Sequence, residues 1–482
     1  MKTIFKFLIV LCFCTVNIVN AGTYDGYTLY SKMGNKNVYL IDMSGNIYHT
    51  WACNVATGYS SYLLSNQVLL RSCQYQGNKL NGAAMCGMVQ KVDWNGNLLW
   101  QYTYSTSSYC THHDICPMPN GNVLLISYDV RSATEVAAAG CSKTMSIWSE
   151  KIIEVKPTGL YTGEIVWEWQ VWDHLVQEYS SAKNNYGVVK EHPELYNINY
   201  NTQQDWMHAN GISYNESLNQ IVFSSHNLNE LYVIDHSTTT EEAAGHTGGN
   251  SGKGGDILYR WGNPAAYGAT GTKIFNVVHD AHWVPEYCPN GGYLAAFNNG
   301  GTGSKSTIDL ISPPYSGYNY THINGSAYAP TTYTSRYVCN GRSGNQSNSQ
   351  QLPNGNMLIC LAESGYMYEI DASQNIVWTY TAGGTVSKAF RYTADYVTGV
   401  TETIVPKKQI NIYPNPTTGT ITIDGTFNQN DYVISIYNVT GQLLLRKSNS
   451  KTINIGNLDK GVYNVQIETE NEVINKRIIL TK

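Results

Sequence analysis

Charge is scarce in this chain of 482 residues: 13 % are Asp, Glu, Lys or Arg, and the formal balance is −5 at neutral pH. With no basic stripe, the chain lacks the electrostatic footprint of a nucleic-acid partner. The same poverty argues against long surface helices, which draw on Lys, Glu and Ala. There is no Cys-x-x-Cys, so a structural zinc site of that kind has no support. A phosphate-cradling loop is missing as well. Its nearest imitation, Gly248-Gly249-Asn250-Ser251-Gly252-Lys253-Gly254, lacks the spacing of the first Gly and the closing Ser or Thr, and reads as a flexible loop.

What is abundant is Gly (43) and Tyr (38), a mix suited to short strands and tight turns. At the start, Lys2 and Lys6 precede or flank the apolar stretch Phe7 to Val16, and Val19-Asn20-Ala21 stands before Gly22. This is the three-part pattern of a secretory signal peptide over 1–21, too short for a membrane span. The expected mature protein is exported, with no transmembrane span. Cys12 and Cys14 leave with the signal, and nine cysteines remain, at 53, 73, 86, 110, 116, 141, 288, 339 and 360. In an oxidising compartment some are expected to form disulfide bonds, with Cys110–Cys116 one option, while an odd count leaves at least one thiol free.

Between residues 25 and 396 two phrases alternate. One is a turn followed by a strand ending in Trp: Asp42-Met43-Ser44-Gly45-Asn46 leads to Trp51, Asp93-Trp94-Asn95-Gly96-Asn97 to Trp100, Lys156-Pro157-Thr158-Gly159 to Trp167, and Asp371-Ala372-Ser373-Gln374-Asn375 to Trp378. The other is Pro-Asn-Gly before an apolar strand, at Pro119, Pro289 and Pro353. Asn and Gly accept positive φ at low cost, so these are hairpin turns. Strands recurring with fixed turn chemistry about every 40 to 50 residues or more predict propeller blades, about six of them, with stacked sandwiches as the alternative. The expected class is all-β: a six-bladed β-propeller over 22–396, a linker over 397–408, and a small C-terminal β-sandwich over 409–482. That last module opens Tyr413-Pro414-Asn415-Pro416, passes Gly461-Val462-Tyr463 and closes on Lys476-Arg477-Ile478-Ile479-Leu480-Thr481-Lys482. It resembles the type A sorting domain of the type IX secretion system, which implies passage across an outer membrane, contact with that machinery and removal of the module there, leaving the protein secreted or on the cell surface.

Polar clusters interrupt the apolar repeats at Thr111-His112-His113-Asp114, Asp205-Trp206-Met207-His208-Ala209-Asn210, Ser224-Ser225-His226-Asn227, His279-Asp280-Ala281-His282 and Ser343 to Gln350. Several sit at the entry to a repeat strand. Equivalent places in successive blades converge at one end of a propeller's channel, so rotation turns scattered histidines into a ring. Such a ring suits nucleophilic and acid–base work or a metal. For a metal, His279 and His282 are three apart, but on a strand that spacing does not ensure a shared face, and only Asp114 and Asp280 supply adjoining carboxylates. The expected metal complement is none.

The segments Thr111 to Asp114, Trp206-Met207-His208-Ala209-Asn210-Gly211-Ile212, Gly255 to Pro264, His279-Asp280-Ala281 and Gln351 to Asn356 are similar, in order, to bacterial aryl-sulfate sulfotransferases. The resemblance implies a six-bladed propeller that moves a sulfuryl group from a phenolic sulfate ester to a phenol acceptor, without PAPS or any other cofactor. It places the nucleophile on His279, through a sulfohistidine, and catalytic partners on His208 and His113, either of which protonates the departing phenolate. Asn210, His226 and Arg260 are the substrate-binding positions it suggests. Where the family commonly carries Arg after Ser-Ser, this chain has His226. Either His226 acts protonated, or Arg260, Arg336, Arg342 or Arg391 reaches in, or activity is weak, because a histidine cannot replace the bidentate grip of a permanent cation. The alternatives are a secreted, non-catalytic binding propeller and a metal-dependent hydrolase. A homodimer is compatible with the sequence and not required by it. The sulfuryl-transfer reading rests on the imidazoles of separate blades meeting at one opening, where an aryl-sized approach lets His279 reach sulfur.

Overall fold

The Asp-turn phrase folds as its chemistry dictates. Asp42 Oδ1 accepts the backbone N–H groups of Ser44 and Asn46, each at 2.9 Å, Asp93 Oδ1 takes that of Asn97 at 2.7 Å, and Asp371 Oδ1 those of Ser373 and Asn375. Each turn joins the third and fourth strands of an antiparallel sheet. The computed structural model describes residues 22–398, 411–424, 432–438, 442–469 and 473–481. The expected signal peptide at 1–21 and residues 399–408 of the expected linker lie outside them.

Among the described residues the first unit contains six four-stranded antiparallel sheets. The first is built from both ends of the unit: Tyr27–Ser31 pairs with Asn37–Ile41 on one side and with Ala389–Tyr392 on the other. The second runs Thr57–Leu63 to Leu98–Thr103, the third Tyr109–Pro117 to Thr162–Gln170 and the fourth Ala209–Asn215 to Tyr259–Trp261. The fifth runs Val278–Trp283 to Ser335–Val338, and the sixth Asn348–Gln351 to Ile376–Thr381. Innermost strands touch their neighbours in chain order. The circuit closes where the Tyr62 ring stands 4.9 Å from Phe390. Radial sheets around one axis make this unit a propeller.

Trp residues of the outer strands, among them Trp51, Trp100 and Trp378 of the repeat phrases, tie one sheet to the next. Indole N–H groups donate across the seams from Trp51 to Asp93 O (3.0 Å), Trp100 to Thr162 O (2.9 Å), Trp169 to Gly255 O (2.7 Å), Trp261 to Pro330 O (2.6 Å) and Trp378 to Met43 O (2.8 Å). The last bond joins the sixth sheet to the first. Buried Trp thus satisfies its one donor while filling the space between sheets. A short helix, Ala394–Thr398, packs Val397 against Trp51 and Leu63, so the first unit's core continues through that residue.

The expected disulfides are not formed. All nine cysteines of the described residues are free. Cys110 and Cys116 lie on the same strand, where six residues of extended chain span on the order of 15–20 Å, far beyond the reach of a disulfide. Cys110 Sγ instead donates to Asn78 Oδ1 at 3.3 Å.

The second unit, described by itself, packs a three-stranded sheet (Asn411–Tyr413, Thr420–Asp424, Thr452–Asn454) on a four-stranded one (Leu443–Ser448, Tyr432–Tyr437, Gly461–Thr469, Val473–Leu480). Alternate residues such as Ile421, Ile423, Ile434, Ile436, Ile453 and Ile467 fill the space between them. It is a β-sandwich. No helix among the described residues is long and apolar enough to cross a membrane.

Candidate active site

Several innermost strands are broken where their polar clusters lie. Strand pairing slips between Thr111 and Ile115, between Ala209 and Gly211, and between His279 and His282. At these slips non-glycine residues adopt left-handed backbone: His113 has φ +52°, His208 +55°, Asp280 +57°, and Gln346, entering the sixth sheet, +56°. Such conformations cost about 1–3 kcal/mol each and persist where the surroundings over-determine them. A bulge re-aims side chains, and these aim imidazoles at one another. Gly211 is required by the same crowding, because a Cβ there would stand 2.8 Å from the backbone nitrogens of Asp280 and Ala281.

The rings form a chain. His113 and His208 are 4.7 Å apart between ring centres, His208 and His226 4.9 Å, and His226 and His279 5.5 Å. Three of these residues come from innermost strands or their entries; His226 comes from the end of the second strand of the fourth sheet.

Each ring's proton is placed by its partners. Asn299 Nδ2 donates to the carbonyls of Ser343 and Gln346, so its Oδ1 is an acceptor and takes a hydrogen bond from His279 Nδ1 at 2.8 Å. His279 Nε2 therefore carries the lone pair, and it accepts the Gln346 N–H at 3.2 Å. Burial first, and the neighbouring His226 second, hold His279 well below the usual histidine range, so it is neutral. His208 Nδ1 lies 2.6 Å from Asp205 Oδ2, which also accepts the Tyr128 hydroxyl at 3.2 Å. Although burial pushes the other way, these bonds keep the Asp205 carboxyl below its usual range.

A buried relay stands behind His113. Glu150 Oε2 is 2.9 Å from His112 Nε2, and His112 Nδ1 is 2.8 Å from His113 Nδ1. Burial raises Glu150 well above the carboxylate range and pushes His112 down to about 3, so the pair is neutral and Glu150 keeps its proton. Its other oxygen, Oε1, accepts the Ala209 N–H at 2.9 Å. The proton order then runs from Glu150 to His112 to His113, leaving His113 Nε2–H as a donor. Burial, then His208, keep His113 itself neutral.

Next to the ring a buried ion triad crosses the centre. Lys388 Nζ meets Asp114 Oδ2 at 2.5 Å and Asp280 Oδ1 at 2.7 Å. Burial disfavours the ammonium, but the two carboxylates outweigh it and raise Lys388 above its ordinary value. Further along the innermost strands lies a cavity of about 230 Å³, whose lining includes Lys388, Tyr62, Pro117, Ile212, His282 and Phe390.

The remaining expected positions divide. His226 is in the ring, half-buried, with Nδ1 on Asn227 Oδ1 at 2.7 Å, and burial lowers it below the usual range. Asn210 adjoins the ring but both ends of its amide are engaged, Nδ2 on Val278 O (2.8 Å) and Oδ1 accepting from Ser224 Oγ (2.7 Å). It positions the His279 strand. Arg260 is not brought to the ring; Nε and Nη2 bind Glu230, and Nη1 donates to the carbonyls of Pro193 and Leu195. Arg336 pairs with Asp309 and Arg391 with Glu369. Arg342, exposed, is the one of the four arginines on the segment that carries Gln346. His282 turns away from His279 and takes Asp280 O at 2.8 Å.

The open approach expected at His279 is absent. The residue is 1 % exposed, and the Gln346 N–H caps its lone pair. His208, with its side chain 12 % exposed, and His226 form the more accessible part of the ring. Glu150, Asn299 and Lys388 were not anticipated from sequence. A carboxylate and a lysine inside apolar strand patterns, and Asn299 at the place after a second strand that His226 occupies in the preceding sheet, were the available signals.

The arylsulfotransferase (ASST) family model matches residues 16–396. The chain belongs to the arylsulfotransferase family. Membership supports an aryl sulfotransferase activity for the propeller. A secretion-system C-terminal sorting domain matches residues 411–481 and points to export and secretion. No curated protein matches the chain. Among solved structures, a Bacteroides caccae protein of unknown function is 10 % identical, with 76 % of this chain and 98 % of that one covered at a TM-score of 0.44. The periplasmic gluconolactonase of Pseudomonas aeruginosa is 11 % identical, with 76 % and 98 % covered at 0.41. The Dos1 propeller, 9 % identical, is covered at 95 % on both sides with a TM-score of 0.32. At these scores the likenesses carry no argument.

Proposed function

We propose that the propeller is a PAPS-independent aryl sulfotransferase working through a sulfohistidine on His279. The observation that carries this reading is the fixed tautomer: Asn299 holds the Nδ1 proton, leaving a neutral ring whose Nε2 lone pair adjoins three further imidazoles. Nε2 attacks the sulfur of a phenolic sulfate ester, the N–S bond forms and the S–O bond to the aryl group breaks. His208, held through Nδ1 by the Asp205 carboxylate, gives a proton to the departing phenolate. A second phenol returns a proton to His208 and attacks sulfur, and the N–S bond breaks. Charge on the transferring group spreads over its oxygens, where the His113 Nε2–H and the Gln346 N–H serve as fixed donors. For the latter to turn from His279 to the substrate, the segment carrying Gln346 shifts, which also opens the ring to an aryl group.

The exposed Arg342 is the cation that answers the missing family arginine, since burial keeps His226 neutral and Arg260 is locked on Glu230. Export through the type IX machinery, with removal of the sorting domain, delivers the enzyme to the outside of the cell, surface-bound or released.

A chromogenic aryl sulfate with a phenol acceptor tests the reading. Wild-type protein is expected to release one equivalent of the chromogenic phenol without acceptor and to turn over continuously only with it, and His279→Ala to abolish both. Equal release by both proteins overturns it. The burial of His279 favours one second reading, a secreted propeller that binds aryl sulfates without turnover; binding with no release by the wild type selects it.

A further inference from the structure

A second histidine cluster lies away from the ring, at the seam between the third and fourth sheets. His174 follows the outer strand of the third sheet and the short turn Val171–Asp173. His246 and Asp256 flank the glycine-rich connection of the fourth sheet, between Glu230–Asp235 and Tyr259–Trp261. His174 Nδ1 is 2.9 Å and His246 Nδ1 2.7 Å from the same oxygen, Asp256 Oδ1.

The hydrogen count at His174 does not balance for a neutral ring. Its Nε2 is 2.9 Å from Ala243 O, a carbonyl that only accepts, so the proton of a neutral His174 is on Nε2. Its Nδ1 lone pair then points at a carboxylate oxygen, acceptor against acceptor, in a ring with 0 % exposure. Either a second proton on His174 or a metal cation between them resolves this, and the second imidazole converging on the same Asp256 oxygen is the feature that a metal site shares. The arrangement is that of a metal-bound imidazole, one nitrogen on the ion and the other donating to a backbone carbonyl. Gly255 is built for it: a Cβ there would stand 2.6 Å from His174 Nε2 and 1.9 Å from Ala243 O.

We infer that His174, His246 and Asp256 bind one zinc-class divalent ion, which clips the glycine-rich connection of the fourth sheet onto the end of the third. The three ligand atoms lie within 4.8 Å of one another. Metal–ligand bonds of about 2.0–2.2 Å place tetrahedral ligand atoms roughly 3.3 Å apart, so shifts of about half an ångström seat the ion. Two imidazoles and a carboxylate select zinc over calcium or magnesium, and the exposed side of His246 leaves the fourth position to water. The role is structural, since none of the three residues belongs to the ring of His113, His208, His226 and His279.

The test uses the tag-free full-length chain, stripped with a chelator and titrated with zinc chloride. One zinc per chain is expected, with a thermal midpoint that climbs as zinc is added. Cobalt(II) in its place is expected to give the visible absorption of a tetrahedral site. His246 is exposed, so His246→Ala should fold, losing at least about 10-fold in zinc affinity together with the cobalt band; Asp256→Asn should do the same. Failure of the wild type to bind zinc stoichiometrically, or an unchanged affinity in both variants, overturns the assignment.

Discussion

The outer and innermost strands of the same sheets follow opposite rules. Outer strands follow turns, three of them capped by Asp42, Asp93 and Asp371, and carry Trp residues that bond to the next sheet, with pairing slips confined to the turn-proximal end. Innermost strands are bulged, carry His113, His208 and Asp280 in left-handed backbone, and bury Lys388, Asp114 and Asp280 beside four imidazoles. Repetition closes the ring of sheets, and the strands inside it hold the candidate site. The stability of one serves the strain of the other.

Four experiments separate these roles. The largest effect belongs to His279→Ala, expected to lower kcat/KM by about 10³-fold or more with the fold retained at a cost of about 1–3 kcal/mol. A comparable loss for Trp378→Phe would erase the distinction. Lys388→Met leaves two buried carboxylates uncompensated and is expected to destabilise by about 3–5 kcal/mol in urea unfolding. Adding Asp114→Asn to it should recover part of that loss. A smaller effect is expected at Glu150, whose buried carboxyl retains its proton and donates to His112. Glu150→Gln, with an NH₂ donor for His112 and a carbonyl for Ala209 N–H, should keep activity within about 3-fold, whereas Glu150→Ala should lose about 10–100-fold. If Gln falls as far as Ala, the relay runs with an ionised Glu150 instead. The smallest is Trp378→Phe, expected to cost about 1 kcal/mol for its seam hydrogen bond, with turnover unchanged.

Acid should expose the same contrast. His112, His113, His226 and His279 all have lowered proton affinity in the folded protein. In the unfolded chain they titrate near pH 6.5, so below that pH the unfolded state binds more protons and folding stability falls as pH drops. Above it these groups contribute no slope. Glu150, protonated in the fold and ionised in the unfolded chain, acts the opposite way, so urea midpoints should rise gently from pH 8 to 6.5 and then decline toward pH 5 as the four histidines outweigh it. A midpoint that keeps rising from pH 6.5 to 5 would contradict their neutral burial.

Outer-strand features were legible because turn chemistry is local: Asp371 to Asn375 can form their turn without the rest of the chain. The ring was legible only as a list of histidines at equivalent repeat places. Which nitrogen carries each proton depends on Asn299 and Glu150, each from a strand with no motif. Arg260 misled for the same reason, since nothing local announces that Glu230 takes its guanidinium. The cysteine count misled as well, because parity says nothing about distance along a strand. The cluster of His174, His246 and Asp256 escaped notice because its members are 72 and 10 residues apart and share no repeat place.

Intact-mass analysis after exposure to an aryl sulfate without acceptor tests the central assignment most directly. One added sulfuryl group, mapped to His279 and discharged by a phenol, is the expected result. A mass unchanged by the donor while the wild type turns over, or a label on His208 or His226 instead, would contradict it.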